Sequence, residues 1–437
     1  MTATLHIPPV KTPLRGEITL PGDKGLSHRT ALFAVLTQGE SRIANYLDAG
    51  VTRPLLAALA QLGVAWQLED GILTVQGRGL YNLTVEGVPH LHCGHSATTM
   101  RLLAGFLAAA GVPAVLDGSP GLRRRPMRRV TEPLRQMGVP IEDADGHAPL
   151  TLHARQRPLR GITYRLPVAS AQVKTALLLA ALAAEGETTL TEPGPSRDHT
   201  ERLFQAMGLP LTRPAPHTVR LTPPLPKVLP PLRLTLPGDL SSAAFLLAAA
   251  VLVPDSRITL RGVMLNPTRT GFLDVLQRMG AQLEITPRGE TYGEPYGDIT
   301  AVYSPNLQGI TVQGDDVVRM VDEFPIFAVV AAAAHGVTVV REAEELRYKE
   351  SDRIAAVVTR LQALGVAAEA RPDGFRIIGG KPWHGAALGA GGDHRIAMAF
   401  AIAGLRAQTP VTITGADIIA QSFPGFAEVL ERLGASF

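Results

Sequence analysis

The tetrapeptide Leu20-Pro21-Gly22-Asp23 recurs as Leu236-Pro237-Gly238-Asp239, and an Ala/Leu-rich run follows each copy. Both copies read as a turn, a helix cap and a buried helix. Polar turns open similar runs elsewhere, so six such helices are expected: Asp23 to Leu36, Gly94 to Ala110, Ser170 to Ala184, Asp239 to Leu252, Asp322 to Ala334 and Asp393 to Leu405. The runs are apolar on nearly every side, which predicts burial all round rather than on one face. A second signal alternates with the first. Amphipathic helices ending in Leu-Gly or Met-Gly are expected from Leu55 to Gly63, Val130 to Gly138, Thr200 to Gly208, Gly271 to Gly280, Asp352 to Gly365 and Phe426 to Gly434, each glycine a candidate C-cap. Strand-like pieces such as Gly71-Ile72-Leu73-Thr74-Val75 and Gly374-Phe375-Arg376-Ile377-Ile378 lie between them.

Six copies of a unit of roughly 65 to 75 residues imply an α/β protein of two similar domains, three units each, with helices inside and sheets outside. The expected domains are residues 21–236, and residues 1–20 together with 237–437. The Pro-rich run from Pro214 to Pro237 is the expected crossing point, because proline is excluded from helix interiors. The first twenty residues are expected to add a strand to the second domain, so the chain would cross twice.

A chain of 437 residues is too long for one ordinary core, which agrees with two domains. The longest apolar runs fall far short of the ~20 residues of a membrane span. The start, Met1-Thr2-Ala3-Thr4-Leu5-His6, lacks the basic and apolar regions of a signal peptide, so a cytoplasmic location is expected. The single Cys93 excludes an intramolecular disulfide, and no Cys/His spacing suggests a zinc site. A net charge of +3 with 5% aromatic residues argues against a nucleic-acid partner, so any strong positive field must be local.

Helix N-termini favour anions, and the expectation is that the six buried starts converge on a ligand space between the two domains. The first copy of the repeated turn carries Lys24, His28 and Arg29, whereas the second carries only apolar and hydroxyl residues there. Lys24 and Arg29 could address one ligand at one helix start; a solvated helix end is the plainer reading. Arg123-Arg124-Arg125-Pro126-Met127-Arg128-Arg129 places five arginines in seven positions, suited to bidentate phosphate or carboxylate binding or, alternatively, to nucleic acid. Lys349-Glu350-Ser351-Asp352-Arg353 opens the fifth amphipathic helix, with Lys349 and Arg353 on one face; an ion-paired surface is the alternative. Asp393 is a natural N-cap before His394 and Arg395. Asp322 is a cap or a base toward a substrate hydroxyl. Ser170, Ala171 and Gln172 supply neutral groups at a third start.

The ordered motifs Pro-Gly-Asp-Lys-x-x-Ser-His-Arg, Arg-Pro-Met, Ser-Ala-Gln-Val-Lys, Ser-Arg-Asp-His-Thr-Glu, Asp-Glu-x-Pro, Lys-Glu-Ser-Asp-Arg, Asp-His-Arg-x-Ala-Met and Ser-Phe-Pro-x-Phe span almost the whole chain. In them the sequence closely resembles the 5-enolpyruvylshikimate-3-phosphate synthase family of enolpyruvyl transferases. The resemblance implies two domains of three βαβαββ units. It implies transfer of the enolpyruvyl group of phosphoenolpyruvate to the 5-hydroxyl of shikimate 3-phosphate, with release of phosphate, through a tetrahedral intermediate. This step belongs to the shikimate pathway of aromatic amino acid biosynthesis. No metal, organic cofactor, membrane or nucleic acid would be needed, and a monomer is expected.

Carried over by motif, Lys24 would contact both substrates and Arg29 the shikimate carboxylate. Gly25, Ser170, Ala171, Gln172, Arg197, Asp322 and Lys349 would complete the shikimate 3-phosphate site. Ala97, Arg125, Gln172, Arg353 and Arg395 would line the phosphoenolpyruvate site. Asp322 would act as base and Glu350 as acid, with Lys24 beside them. Four positions depart from the family pattern: Gly25 replaces a serine, His95 an asparagine, Ala97 a glycine, and Gln421 a lysine. The methyl group of Ala97 predicts an active enzyme tolerant of glyphosate, an inhibitor that occupies the phosphoenolpyruvate site. The alternatives are the fold-related UDP-N-acetylglucosamine enolpyruvyl transferase, which uses a cysteine acid, and a non-catalytic ligand-binding homologue.

Overall fold

The computed structural model describes residues 3–436 apart from Tyr81 and Thr84. The chain folds into two units. One comprises Gly22–Pro237 with Glu290–Glu294; the other comprises the residues up to Pro21, Gly238–Gly289 and the chain from Pro295 onward.

Each unit contains three of the buried helices. In the first these are Lys24–Leu36, Ala97–Ala110 and Ala171–Ala181; in the second they are Leu240–Leu252, Phe324–Ala333 and His394–Arg406. Every residue of Leu240–Leu252 is buried, as a helix without a polar face must be. Asp23, Ser96, Ser170, Asp239 and Asp393 cap their helices by accepting backbone N–H groups of the first turn. Small residues let these helices approach closely. A Cβ added at Gly105 would lie 2.1 Å from the carbonyl oxygen of Ala176 in the neighbouring helix, so only glycine fits. The third helix ends at Ala181 rather than Ala184, because Ala184–Glu185 pairs as a strand with Leu159–Arg160.

The amphipathic helices end at the six expected glycines, Gly63, Gly138, Gly208, Gly280, Gly365 and Gly434, all at φ between 76° and 108°. That left-handed conformation costs glycine little and closes the last turn.

The strands form one recurrent pattern. In one sheet Thr163–Arg165 runs parallel to Thr188–Thr191, which pairs antiparallel with Thr218–Leu221 and, through it, with Leu211–Ala215. The sheets built on Ala114–Asp117 and Gly336–Val340 repeat this wiring, so three segments are complete βαβαββ units. Three further sheets borrow a strand from far along the chain. Arg233–Thr235 joins Gln38–Ala44, Arg15–Thr19 joins Arg257–Met264, and Thr4–Ile7 joins Val411–Thr414. The N-terminal segment therefore adds two strands rather than one. The Pro-rich run does not itself form a linker: Thr218–Leu221 and Arg233–Thr235 lie in sheets of the first unit, and the crossing follows Pro237. Among the described residues no helix is long and apolar enough to cross a membrane.

Candidate active site

In the Gly22–Pro237 unit, Lys24 and Gly25 open the first buried helix and Arg29 lies one turn further on. Arg29 is 3% exposed. Its Nε donates to Thr200 Oγ1 at 2.8 Å, and Nη2 donates to Thr175 Oγ1 at 2.9 Å. Nη1 reaches the carbonyl of Gly25 at 3.0 Å. Burial, partly offset by Glu201 and Asp23, lowers its pKa to about 10, so the guanidinium remains charged at neutral pH. A Cβ on Gly25 would stand 3.0 Å from Asp23 Oδ1 and 3.5 Å from Arg29 Nη1. A serine there would crowd the Asp23 cap and stand against Arg29.

His28 joins the starts of two helices. Its Nδ1 lies 2.7 Å from the Lys24 carbonyl, while Nε2 lies 3.0 Å from the Val51 carbonyl and 3.2 Å from both Ser96 Oγ and Thr99 Oγ1. Burial, aided by the charges of Lys24 and Arg29 and opposed by backbone carbonyls, pushes its pKa down to about 4. The ring is neutral when folded, whereas an unfolded histidine takes up a proton near pH 6.5. Its contribution is full above pH about 6.5 and is lost as pH falls toward 4, amounting to about 3 kcal/mol. Wild-type unfolding free energy should therefore fall more steeply over that interval than that of His28→Gln. Equal slopes in denaturant titrations at pH 7 and 4.5 would contradict this.

At the second and third helix starts, Arg101 Nη1 donates to Gln172 Oε1 at 2.7 Å, and Gln172 Nε2 donates to Thr98 Oγ1 at 2.9 Å. Ala97, 7% exposed, is the first residue of that second helix. Ser170 Oγ accepts the N–H of Val173 at 3.5 Å. The Ser170 N–H is in turn held by Glu192 Oε1 at 2.9 Å. Lys174, 3% exposed, bonds Glu192 at 2.6 Å, Glu201 at 2.7 Å and the Ser196 hydroxyl at 2.8 Å. Burial opposes its charge, but the two carboxylates raise its pKa. Arg197, half-buried, follows Ser196 directly.

The arginine cluster does not form one basic face. Arg123 pairs with Asp117 through Nε at 2.9 Å, and Arg128 pairs with Asp145 at 3.3 Å. Pro126 separates Pro120–Arg123 from Arg128–Gln136, and half-buried Arg125 lies in the turn between them. His95 is exposed and bonds Ser119 Oγ at 3.0 Å. Cys93 is buried, and burial together with Asp117 pushes its thiol up to about 12, which removes it as an acid near neutral pH.

The second unit gathers charge around Arg353, which is 1% exposed. Its Nε donates to Asp393 Oδ2 at 2.9 Å, Nη2 to Glu350 Oε2 at 2.7 Å, and Nη1 to Asp322 Oδ1 at 3.4 Å. Asp322 also has Lys349 Nζ at 3.9 Å and Arg395 Nη2 at 3.8 Å. Asp322 thus does not cap the following helix; it faces three cations. Burial resists ionisation of Asp393, and the charge of Arg353 overcomes it, holding its carboxyl below the usual range. Lys349 and Arg353 do not share a helix face. Glu344–Tyr348 is a 3₁₀ turn, Lys349 is extended, and the helix begins at Arg353 because Asp352 caps it by accepting the Ala355 N–H.

The repeated turn of this unit also has a cation, supplied from elsewhere. Arg269 Nη2 donates to Ser241 Oγ at 2.9 Å and lies 3.7 Å from Asp239, while Ser241 Oγ donates to Glu323. Arg101, Lys174, Asp393 and Arg269 do not stand out in the sequence as ligand-site groups. For Arg101 and Lys174 the available signal is a charged residue inside an Ala/Leu helix. Among the described residues no group of three or more His, Cys, Asp or Glu could hold a metal.

The family model for EPSP synthase (3-phosphoshikimate 1-carboxyvinyltransferase) matches residues 9–430. A 3-phosphoshikimate 1-carboxyvinyltransferase of Roseiflexus castenholzii is 46% identical over 96% of this chain and 97% of its own length. That of Halorhodospira halophila is 48% identical over 96% and 94%. The solved structure of EPSP synthase from Acinetobacter baumannii aligns with TM-score 0.88 at 38% identity, covering 99% of this chain and 98% of that one. The enolpyruvyl transferase NikO of Streptomyces tendae, at TM-score 0.79 and 21% identity, shares the fold, covering 100% of this chain and 98% of that one.

Proposed function

The chain belongs to the EPSP synthase family and is an enolpyruvyl transferase of the shikimate pathway, and from that premise we propose how its residues divide the reaction. The observation that carries this division is Asp322, a single carboxylate within 4 Å of Lys349, Arg353 and Arg395. Asp322 accepts the 5-hydroxyl proton of shikimate 3-phosphate as that oxygen attacks C2 of phosphoenolpyruvate. Glu350 delivers a proton to the methylene carbon, giving a tetrahedral ketal phosphate. Glu350, now a carboxylate, takes back a methyl proton while Asp322 returns its proton to the departing phosphate, which restores the enol ether and both side chains. The enzyme contributes charge placement and proton transfer, with no cofactor step.

Arg353 has all three guanidinium nitrogens on protein carboxylates, so phosphoenolpyruvate enters by exchange. Its carboxylate takes the Nη2 position held by Glu350, and the Glu350 carboxylate, parted from its cation beside an anionic ligand, takes up from solvent the proton it then delivers. Arg125, Arg395, Gln172 and Lys24 complete this ligand set, with Ala97 as a wall. Lys24, Arg29, Ser170, the Ala171 backbone, Gln172, Arg197 and Lys349 hold shikimate 3-phosphate, and Gly25 contributes backbone only. The enzyme works as a cytoplasmic monomer. Phosphate release should require phosphoenolpyruvate and shikimate 3-phosphate together. No release, or equal release with UDP-N-acetylglucosamine as acceptor, would overturn the reading.

Glyphosate tolerance follows from Ala97. It is the buried first residue of the helix whose Thr98 hydroxyl holds the Gln172 amide, and it carries a methyl group where the family pattern has glycine. One methyl in a tight pocket discriminates by about 10-fold or more. Ala97→Gly should lower the ratio of glyphosate inhibition constant to phosphoenolpyruvate KM by about that factor, measured in steady-state inhibition assays. An unchanged ratio would refute the role of the methyl.

A further inference from the structure

The Ala171–Ala181 helix is Ala/Leu-rich and buried from Val173 onward, yet its fourth residue is Lys174. Burying an ammonium is unfavourable unless fixed partners replace water. Here two carboxylates and a hydroxyl do so: Glu192 at 2.6 Å, Glu201 at 2.7 Å and Ser196 at 2.8 Å.

Each partner leads to a different part of the same half-site. Glu192 uses its other oxygen to hold the Ser170 N–H at 2.9 Å, which sets the start of the helix bearing Ala171 and Gln172. Ser196 donates to Glu192 Oε2 at 2.8 Å and is the residue before Arg197. Glu201 follows Thr200, whose hydroxyl accepts from Arg29 Nε at 2.8 Å. One ammonium thereby ties together the helix start, the Arg197 loop and the Arg29 support. None of Lys174, Glu192 or Ser196 has a role in the chemical steps.

Resting on the functional reading above, we propose that Lys174 and Glu192 are positioning residues for shikimate 3-phosphate: they lock the three segments that bind it into one geometry. They act far more on affinity for the phosphorylated ring than on phosphoenolpyruvate, whose assigned ligands share only Gln172 with these segments, and they leave the chemical step alone. A general structural role would instead lower stability and disturb both substrates alike.

Lys174→Met strands two buried carboxylates and is expected to impair folding, so the decisive variants are Ser196→Ala and Glu192→Gln. Ser196→Ala removes two bonds of the hub, from Lys174 and to Glu192, and no charge. Glu192→Gln keeps an acceptor for the Ser170 N–H and weakens the attraction to Lys174. In the full-length enzyme, each should raise the KM for shikimate 3-phosphate about 10-fold, with phosphoenolpyruvate KM and kcat within about 3-fold of wild type. An unchanged shikimate 3-phosphate KM, or a parallel rise in both KM values, would overturn the proposal. Wild-type turnover in the same assay separates that failure from one of the functional reading. If wild type releases no phosphate, both fall.

Discussion

Asp322→Asn should lower kcat for phosphate release by about 10²–10⁴, with both KM values changed only a few-fold, because removal of a positioned base costs about that much. The substitution is nearly isosteric, so it tests proton transfer rather than packing. Asp322 is mostly buried, its side chain 13% exposed, and it touches Lys349, Arg353 and Arg395 without capping the helix it precedes. A purely structural aspartate at a helix start would typically be the cap, whereas here the N-cap position is Glu323 and Asp322 has three cations within 4 Å. Stopped or steady-state phosphate assays at saturating substrates suffice. Retention of kcat within about tenfold would place the base elsewhere.

Arg353→Met should cost about 3–5 kcal/mol of folding stability, the range for breaking a buried ion pair from one side. The arginine is 1% exposed and its main partner, Asp393, is 0% exposed. Without the guanidinium, Asp393 keeps its N-cap bond to the Arg395 N–H at 3.0 Å but loses both charge-assisted bonds to Arg353. The loss should be partly recovered in Arg353→Met/Asp393→Asn, because the second change removes the stranded charge. Denaturant unfolding of wild type, both single variants and the double variant completes the cycle. A loss below about 1 kcal/mol, or no recovery, would show that the pair is not the anchor of this half-site.

The helix starts are legible in the sequence because they depend on short-range rules. Asp23, Ser170, Asp239 and Asp393 precede apolar runs and cap them, and the terminal glycines adopt the left-handed conformation. Charge partners are not legible. Asp393 reads as a cap and is also the main partner of Arg353, 40 residues away. Lys349 and Arg353 are four apart and read as one helix face, but the Asp352 cap starts the helix after Lys349. Arg101 shows in the sequence only as a charge inside an Ala/Leu helix, and nothing local identifies Gln172, which it holds across 71 residues.

The sequence by itself determined the repeat, the α/β class, the buried character of six helices and the family to which the chain belongs. Those properties follow from local periodicity, cap chemistry and ordered motifs. Only the tertiary structure decided which distant strands complete the sheets, that Lys174 ties Ser170, Ser196 and Glu201 together, and that Arg353 is shared among Asp322, Glu350 and Asp393. The physical reason is range. A cap or a turn is settled within a few residues, whereas a buried charge takes whichever partner the packed chain brings within about 3 Å.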